Sequence, residues 1–242
     1  MAIRTTTATP STTTIERGRR RTIPERQTAV AILLVLPALV LGVFGYIHMR
    51  DGAATDAAVP VPVYMIAQVS MPRAAYIDAA AALSKADPRN GEAGIARAEA
   101  LLRAGEPNRP SAEELLARAL THQPASARGW TLLSEAALPH DRKLAARALR
   151  RALLLGPRDY WLMEARAQDA ALLWRDLDHD TQAIALGQVR MLWREQSLRK
   201  QLLQLLRTPE GMALTARAFA DRDDEIRAMN RWLSRERQEE TP

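Results

Sequence analysis

The chain contains no cysteine, which excludes disulfides, thiolate metal centres and cysteine nucleophiles. An oxidising compartment stays open, because a domain of this size folds without bridges. Aromatic residues make up only 5% of the 242 residues, while Ala and Leu abound. That balance argues against a β-rich fold and for helices. Lysine is scarce too: Lys85, Lys143 and Lys200 stand among 34 basic residues, an arginine bias that fits a GC-rich bacterial genome. The sequence also lacks a phosphate-binding glycine loop, an HExxH helix and a GxSxG elbow, so the common signatures of nucleotide, zinc-hydrolase and serine-hydrolase chemistry are missing.

What is present begins with charge. The formal net charge is +6 and the pI near 10.2, which at first suggests nucleic acid. Its distribution removes that reading. Arg4, Arg17, Arg19, Arg20, Arg21 and Arg26 precede a run with no charged residue from Thr28 to Met49, and the chain beyond Arg50 is close to neutral. No aromatic or folded reader accompanies the basic arm, so no nucleic-acid partner is expected.

The apolar run 29–47 is long enough, at 1.5 Å per residue, to span about 28 Å of hydrocarbon. Pro37 is tolerated in a membrane helix, and Tyr46 and His48 fall where an interfacial belt belongs. Arg17, Arg19, Arg20, Arg21 and Arg26 act as the topology signal and as contacts for lipid head groups. The positive-inside rule then puts the N-terminus in the cytoplasm and residues 50–242 in the periplasm of a bacterial inner membrane. A cleaved signal peptide, leaving a soluble periplasmic module, is the competing reading, since 51–58 offers small residues for cleavage. The expected organisation is a disordered basic arm (1–27), a transmembrane helix (28–49), a Pro- and Ala-rich tether (50–72), helical repeats (73–207) and C-terminal capping helices (208–242).

The repeats are marked by punctuation. Pro88, Pro124 and Pro157 each follow a leucine-bearing helix end, at spacings of 36 and 33 residues. Alanines stand five and twelve residues before two of them: Ala119 and Ala112, then Ala152 and Ala145. Small residues there let two helices cross closely. Trp130, Leu133 and Ser134 follow Pro124 in the manner of a W-x-x-L-G start. On these residues the chain resembles the tetratricopeptide-repeat family, specifically across 111–160 and more loosely over 73–110. The resemblance implies an all-α fold, a solenoid of helical hairpins in a right-handed superhelix, with a polar end cap. Helices are expected over 158–175, 180–195, 196–207, 209–221 and 222–238, with Ser111 and Glu114 as a capping box and Thr208–Pro209 as a helix start. The segments PRDYW (157–161), MLWR (191–194) and RTPEG (207–211) resemble small repeat proteins found beside bacterial envelope-polysaccharide assembly genes.

The candidates for chemistry are few. Asp176, Asp178, His179 and Asp180 form the one dense polar cluster; its oxygens and imidazole are adequate ligands for a cation, but the EF-hand spacing and its terminal Glu are absent, and such a stretch between helices usually just caps the next one. His122 and His140 sit at helix ends without a partnered acid. The five tryptophans fall at core spacing. No catalytic residue, cofactor, metal or small-molecule substrate is therefore expected. The remaining surface is the groove lined by the first helix of each hairpin, where Arg128, Thr131 and Glu135 point inward if Trp130 takes the fourth place of its repeat. Such a mixed polar groove suits a protein or peptide partner, with arginine taking a carboxylate. The expected function is a non-enzymatic, membrane-anchored periplasmic scaffold in cell-envelope assembly, in polysaccharide synthesis or export. The alternatives are a glycan-acting or metal-dependent envelope enzyme and an accessory protein of cytochrome maturation or secretion.

Overall fold

A computed structural model describes residues 71–239 together with Val43, Tyr46 and Met49. The chain divides into two units, Met1–Tyr46 and Ile47–Pro242. The arm, the apolar run and the tether therefore lie outside the described residues, apart from those three positions and residues 71 and 72. So do Arg17, Arg19, Arg20, Arg21 and Arg26. Among the described residues no helix is long and apolar enough to cross a membrane.

Residues 73–239 form ten α-helices, and no strand occurs among the described residues. They are α1 (Arg73–Leu83), α2 (Gly91–Arg103), α3 (Arg109–His122), α4 (Ala127–Ala137), α5 (Arg142–Leu155), α6 (Tyr160–Leu173), α7 (His179–Arg194), α8 (Arg199–Leu205), α9 (Pro209–Ala218) and α10 (Asp223–Glu239). The protein is all-α, as its composition implies. From α1 to α8 each helix packs on the next; in addition α2 touches α4, α4 touches α6 and α5 touches α7. The helix α9 lies on α6 and α7.

The start signals are local. Asn90, Ser126, Asp141, Asp178 and Thr208 each accept a hydrogen bond from the backbone N–H three residues on, which satisfies a donor the first turn leaves free. Pro88, Pro124 and Pro157 each stand two residues ahead of the N-cap of α2, α4 and α6. The repeated proline thus marks the entry to these three alternate helices. One expected signal is not used. The Ser111–Glu114 box does not open α3, because Pro110 already occupies its first turn and a 3-10 turn, Glu106–Asn108, feeds it.

The stop signals differ from the usual glycine. Gly105 is the one glycine at positive φ among the described residues (+105°). Elsewhere arginines take the last-turn carbonyls, with a favourable charge for that helix end. Arg109 donates to Glu135 O in α4, Arg142 to Leu172 O in α6, Arg199 to Trp193 O in α7 and Arg190 to Ala218 O in α9, at 2.6–2.9 Å. The arginine excess read in the composition has a structural use here.

Three apolar clusters run along the helices. Tyr76, Ala80, Leu83 and Ala100 join α1 to α2; Ile95, Leu116, Leu120 and Leu132 join α2, α3 and α4; Leu149, Met163, Leu192 and Leu202 begin a third that reaches Phe219 and Met229. Leu101 and Leu144 each border two clusters. Ala112, Ala119, Ala145 and Ala152, the small residues of the repeat pattern, are all buried. Trp161 departs from its core spacing: in the first turn of α6 it is 68% exposed.

Candidate functional site

Glu92, Glu99 and Arg103 on α2 face Arg128 and Glu135 on α4, along the line where these two helices touch. The Arg128 side chain donates from Nε to Glu99 Oε2 (2.8 Å) and from Nη1 to Glu92 Oε1 (3.0 Å), and its Nη2 also meets Glu99. Arg103 Nη1 donates to Glu135 Oε1 at 2.7 Å and lies 3.9 Å from Glu99. The result is a continuous alternation, Glu92–Arg128–Glu99–Arg103–Glu135, of three acids and two bases. Glu99 is buried, so its charge is supported by two guanidinium groups rather than by water. For Arg103, burial alone lowers the pKa, but Glu135 and Glu99 outweigh it and hold the group above its ordinary value.

The nominated groove residues therefore have definite places. Arg128 and Glu135 are half-buried members of this row, and the carboxylates that Arg128 takes are the protein's own. Thr131 is buried, with its hydroxyl donating to Ala127 O at 2.9 Å. The structure brings Arg128 and Glu135 together through Arg103 and Glu99, two residues on α2.

The row continues onto α6, where sequence reading saw nothing. Asp169 is buried beside Ser134 and the Arg103–Glu135 pair, and its Oδ2 has no hydrogen-bond partner among the described residues. Burial pushes its carboxyl up to about 7; Glu135 adds repulsion, while Ser134 and Arg103 pull the other way. A buried acid titrating near neutrality is a feature of functional sites as a class. Its only sequence signal was an acid at an otherwise apolar helical spacing.

The acidic cluster of the 174–180 turn is engaged in structural bonds. Asp176 accepts from Arg142 Nε and Nη2 at 3.0 and 2.7 Å. Asp178 caps α7, accepting from Thr181 N and Oγ1, and pairs with Arg150 at 3.2 Å. The Thr181 N–H and hydroxyl, with Arg150 beyond them, hold its carboxyl below the usual range. Among the described residues no group of three or more His, Asp or Glu is placed to share a metal ion. His140 Nε2 lies 2.8 Å from Glu113 Oε2 at the surface.

No protein-family model, curated protein or solved structure matches the chain.

Proposed function

We propose that the protein is a non-enzymatic scaffold: a helical-repeat domain of tetratricopeptide type, anchored in a bacterial inner membrane by residues 28–49 and projecting into the periplasm. The observation that carries this reading is the contact of alternate helices. α2 lies on α4 and α4 on α6, and each of the three is entered two residues after a proline of the 36- and 33-residue repeat. Stacked hairpins in that order form a solenoid, whose first helices line a common face. On this face runs the Glu92–Glu135 row. Its charges are mutually paired, so a protein or peptide partner gains by hydrogen bonding and exchange within the row rather than by meeting a bare charge. Tethering near the bilayer raises the local concentration of whatever is held. Cell-envelope assembly, in polysaccharide synthesis or export, is the setting we favour.

Site-specific photocrosslinking in intact cells tests the face. A photoreactive residue at Glu92 or Glu135 is expected to give adducts of discrete mass, and one at Glu114 or Arg118 on α3 is expected to give none. Equal adducts from both faces would end the groove reading. A periplasm-active reporter fused after Pro242 tests the topology, and activity only of a cytoplasmic reporter overturns it.

A further inference from the structure

A second surface stands apart from the paired row. The helix α5 carries Arg142, Lys143, Arg147, Arg150 and Arg151 and no acidic residue. At 100° per residue, positions 143, 147, 150 and 154 fall within an arc of about 60°. All four are exposed, so one stripe of the helix reads Lys, Arg, Arg, Leu from its start to its end. Lys143 and Arg147 make no ion pair among the described residues. With Arg150, Asp176 and Asp178 they line an open cavity of about 440 Å³ between α5 and α7, and the two acids there are already held by Arg142 and Arg150. The cavity is left with two unneutralised cations.

The apolar end of the stripe continues across the turn. Among the described residues beyond 70, seven large apolar side chains are exposed, and four of them, Leu154, Leu155, Tyr160 and Trp161, lie within eight residues. Arg158 stands exposed among them, and Asp159 is drawn back toward the buried Arg166 at 3.9 Å. Buried Arg166 also donates to Gly156 O at 2.6 Å, so the turn that displays these residues is fixed from inside. Exposed leucine with tyrosine and tryptophan, rimmed by arginine, is the composition of an element that sits at a lipid–water boundary.

We propose that the exposed Lys143–Leu154 stripe of α5 and the first turn of α6 dock on an anionic phospholipid surface. Leu154, Leu155, Tyr160 and Trp161 enter the interfacial region, and Lys143 and Arg147 receive head-group phosphates at the cavity between α5 and α7. Charge complementarity chooses this occupant: the charges of the stripe are all basic, and the exposed apolar residues that follow it stand beside Arg158. The anchored reading supplies only proximity. Residues 50–72 allow at most about 80 Å between bilayer and domain, so the surface is always within reach, and docking would hold the domain in one orientation.

The absence of native cysteine allows one clean probe per chain. The full chain in lipid nanodiscs carries an environment-sensitive fluorophore at Leu155→Cys, Leu36→Cys or Glu114→Cys, with bromine-labelled lipids as quenchers. In discs containing phosphatidylglycerol, the probe at 155 is expected to shift to the blue and lose at least half its emission to shallow quenchers. The probe at 114 is expected to stay aqueous. Phosphatidylcholine discs, or Lys143→Glu with Arg147→Glu in anionic discs, are expected to reduce the quenching at 155 to less than a third. A probe at 155 that stays aqueous in anionic discs overturns the proposal whatever position 36 shows. Quenching that is equal in the two lipids overturns the recognition of head-group charge. Quenching at 155 without quenching at 36 supports the surface contact and ends the anchor reading, so the two ideas fail separately.

Discussion

The Arg166 guanidinium, fully buried, donates from Nη1 to the Gly156 carbonyl at 2.6 Å and to Ala152 O at 3.3 Å. It ties the end of α5 to the middle of α6. Both carbonyls have another partner, since the Gly156 N–H donates to Ala152 O and the Asp159 N–H to Gly156 O. Meanwhile Arg166 Nε and Nη2 lack hydrogen bonds among the described residues, and burial lowers its pKa. The charge is therefore poorly supported, and volume is what the site chiefly needs. Arg166→Ala should lose about 3 kcal/mol through the cavity it leaves, whereas Arg166→Met should lose less than about 1 kcal/mol. Urea denaturation of the full chain in detergent, followed by circular dichroism, separates the two. Equal losses would show that the guanidinium charge, not its bulk, holds the turn.

Arg128 and Glu99 give the opposite expectation. Glu99 is 3% exposed and depends on Arg128, with Arg103 farther off at 3.9 Å. Arg128→Ala leaves that carboxylate buried with little support, and a loss of about 3–5 kcal/mol is expected. Adding Glu99→Gln removes the stranded charge and should restore a large share. A double-mutant cycle is expected to return a coupling of about 2 kcal/mol or more. Additive losses would mean the two side chains do not support each other in solution.

The contrast between these two arginines shows what the sequence makes legible. Helix content follows from composition, and the entries to α2, α4 and α6 follow from Pro88, Pro124 and Pro157. Such signals act within a few residues of where they are written. Thr208 with Pro209 opens α9 as expected, accepting from Gly211 N at 3.1 Å. Arg128 was legible as a polar residue on a helix face. Its partners were not, because Glu99 and Glu92 lie 29 and 36 residues away and only the stacking of α2 on α4 brings them near. Asp169 and the exposed Trp161 were missed for the same reason. Whether an acid or a tryptophan is buried depends on which neighbouring helix covers its face, and periodicity records the spacing of a face but not its cover.

Asp169 should make stability depend on pH in a defined sense. Its folded pKa is raised to about 7 from an unfolded value near 3.8. Between those values the native state binds more protons than the unfolded state, so stability falls as pH rises. The contribution is fully present below about pH 4 and is lost as pH passes through 7. Asp169→Asn removes it without changing shape. The variant should therefore gain on the wild type from pH 5 to pH 8, by on the order of a few kcal/mol. Parallel pH profiles for the two proteins would show that Asp169 is better solvated than its burial implies.

The crossing of α2 and α3 tests the meaning of the alanine pattern itself. Ala119, five residues before Pro124, lies opposite Gly94, where an added Cβ would come within 2.9 Å of the Ala119 Cβ. Two adjacent backbones this close leave no room for a longer side chain on either. Ala119→Leu should then cost about 1–3 kcal/mol through displaced neighbours, although it adds apolar surface in a buried place. Ala117, two residues earlier on α3, is exposed, and Ala117→Leu should change stability by no more than about 0.5 kcal/mol. The two substitutions are chemically identical and equally helix-compatible, so intrinsic propensity cancels between them. If both are tolerated, the alanines at repeat spacing are compositional and α2 and α3 do not meet closely. If only Ala119→Leu is costly, the spacing records a real helix crossing, and Ala145→Leu and Ala152→Leu in α5 should repeat the result.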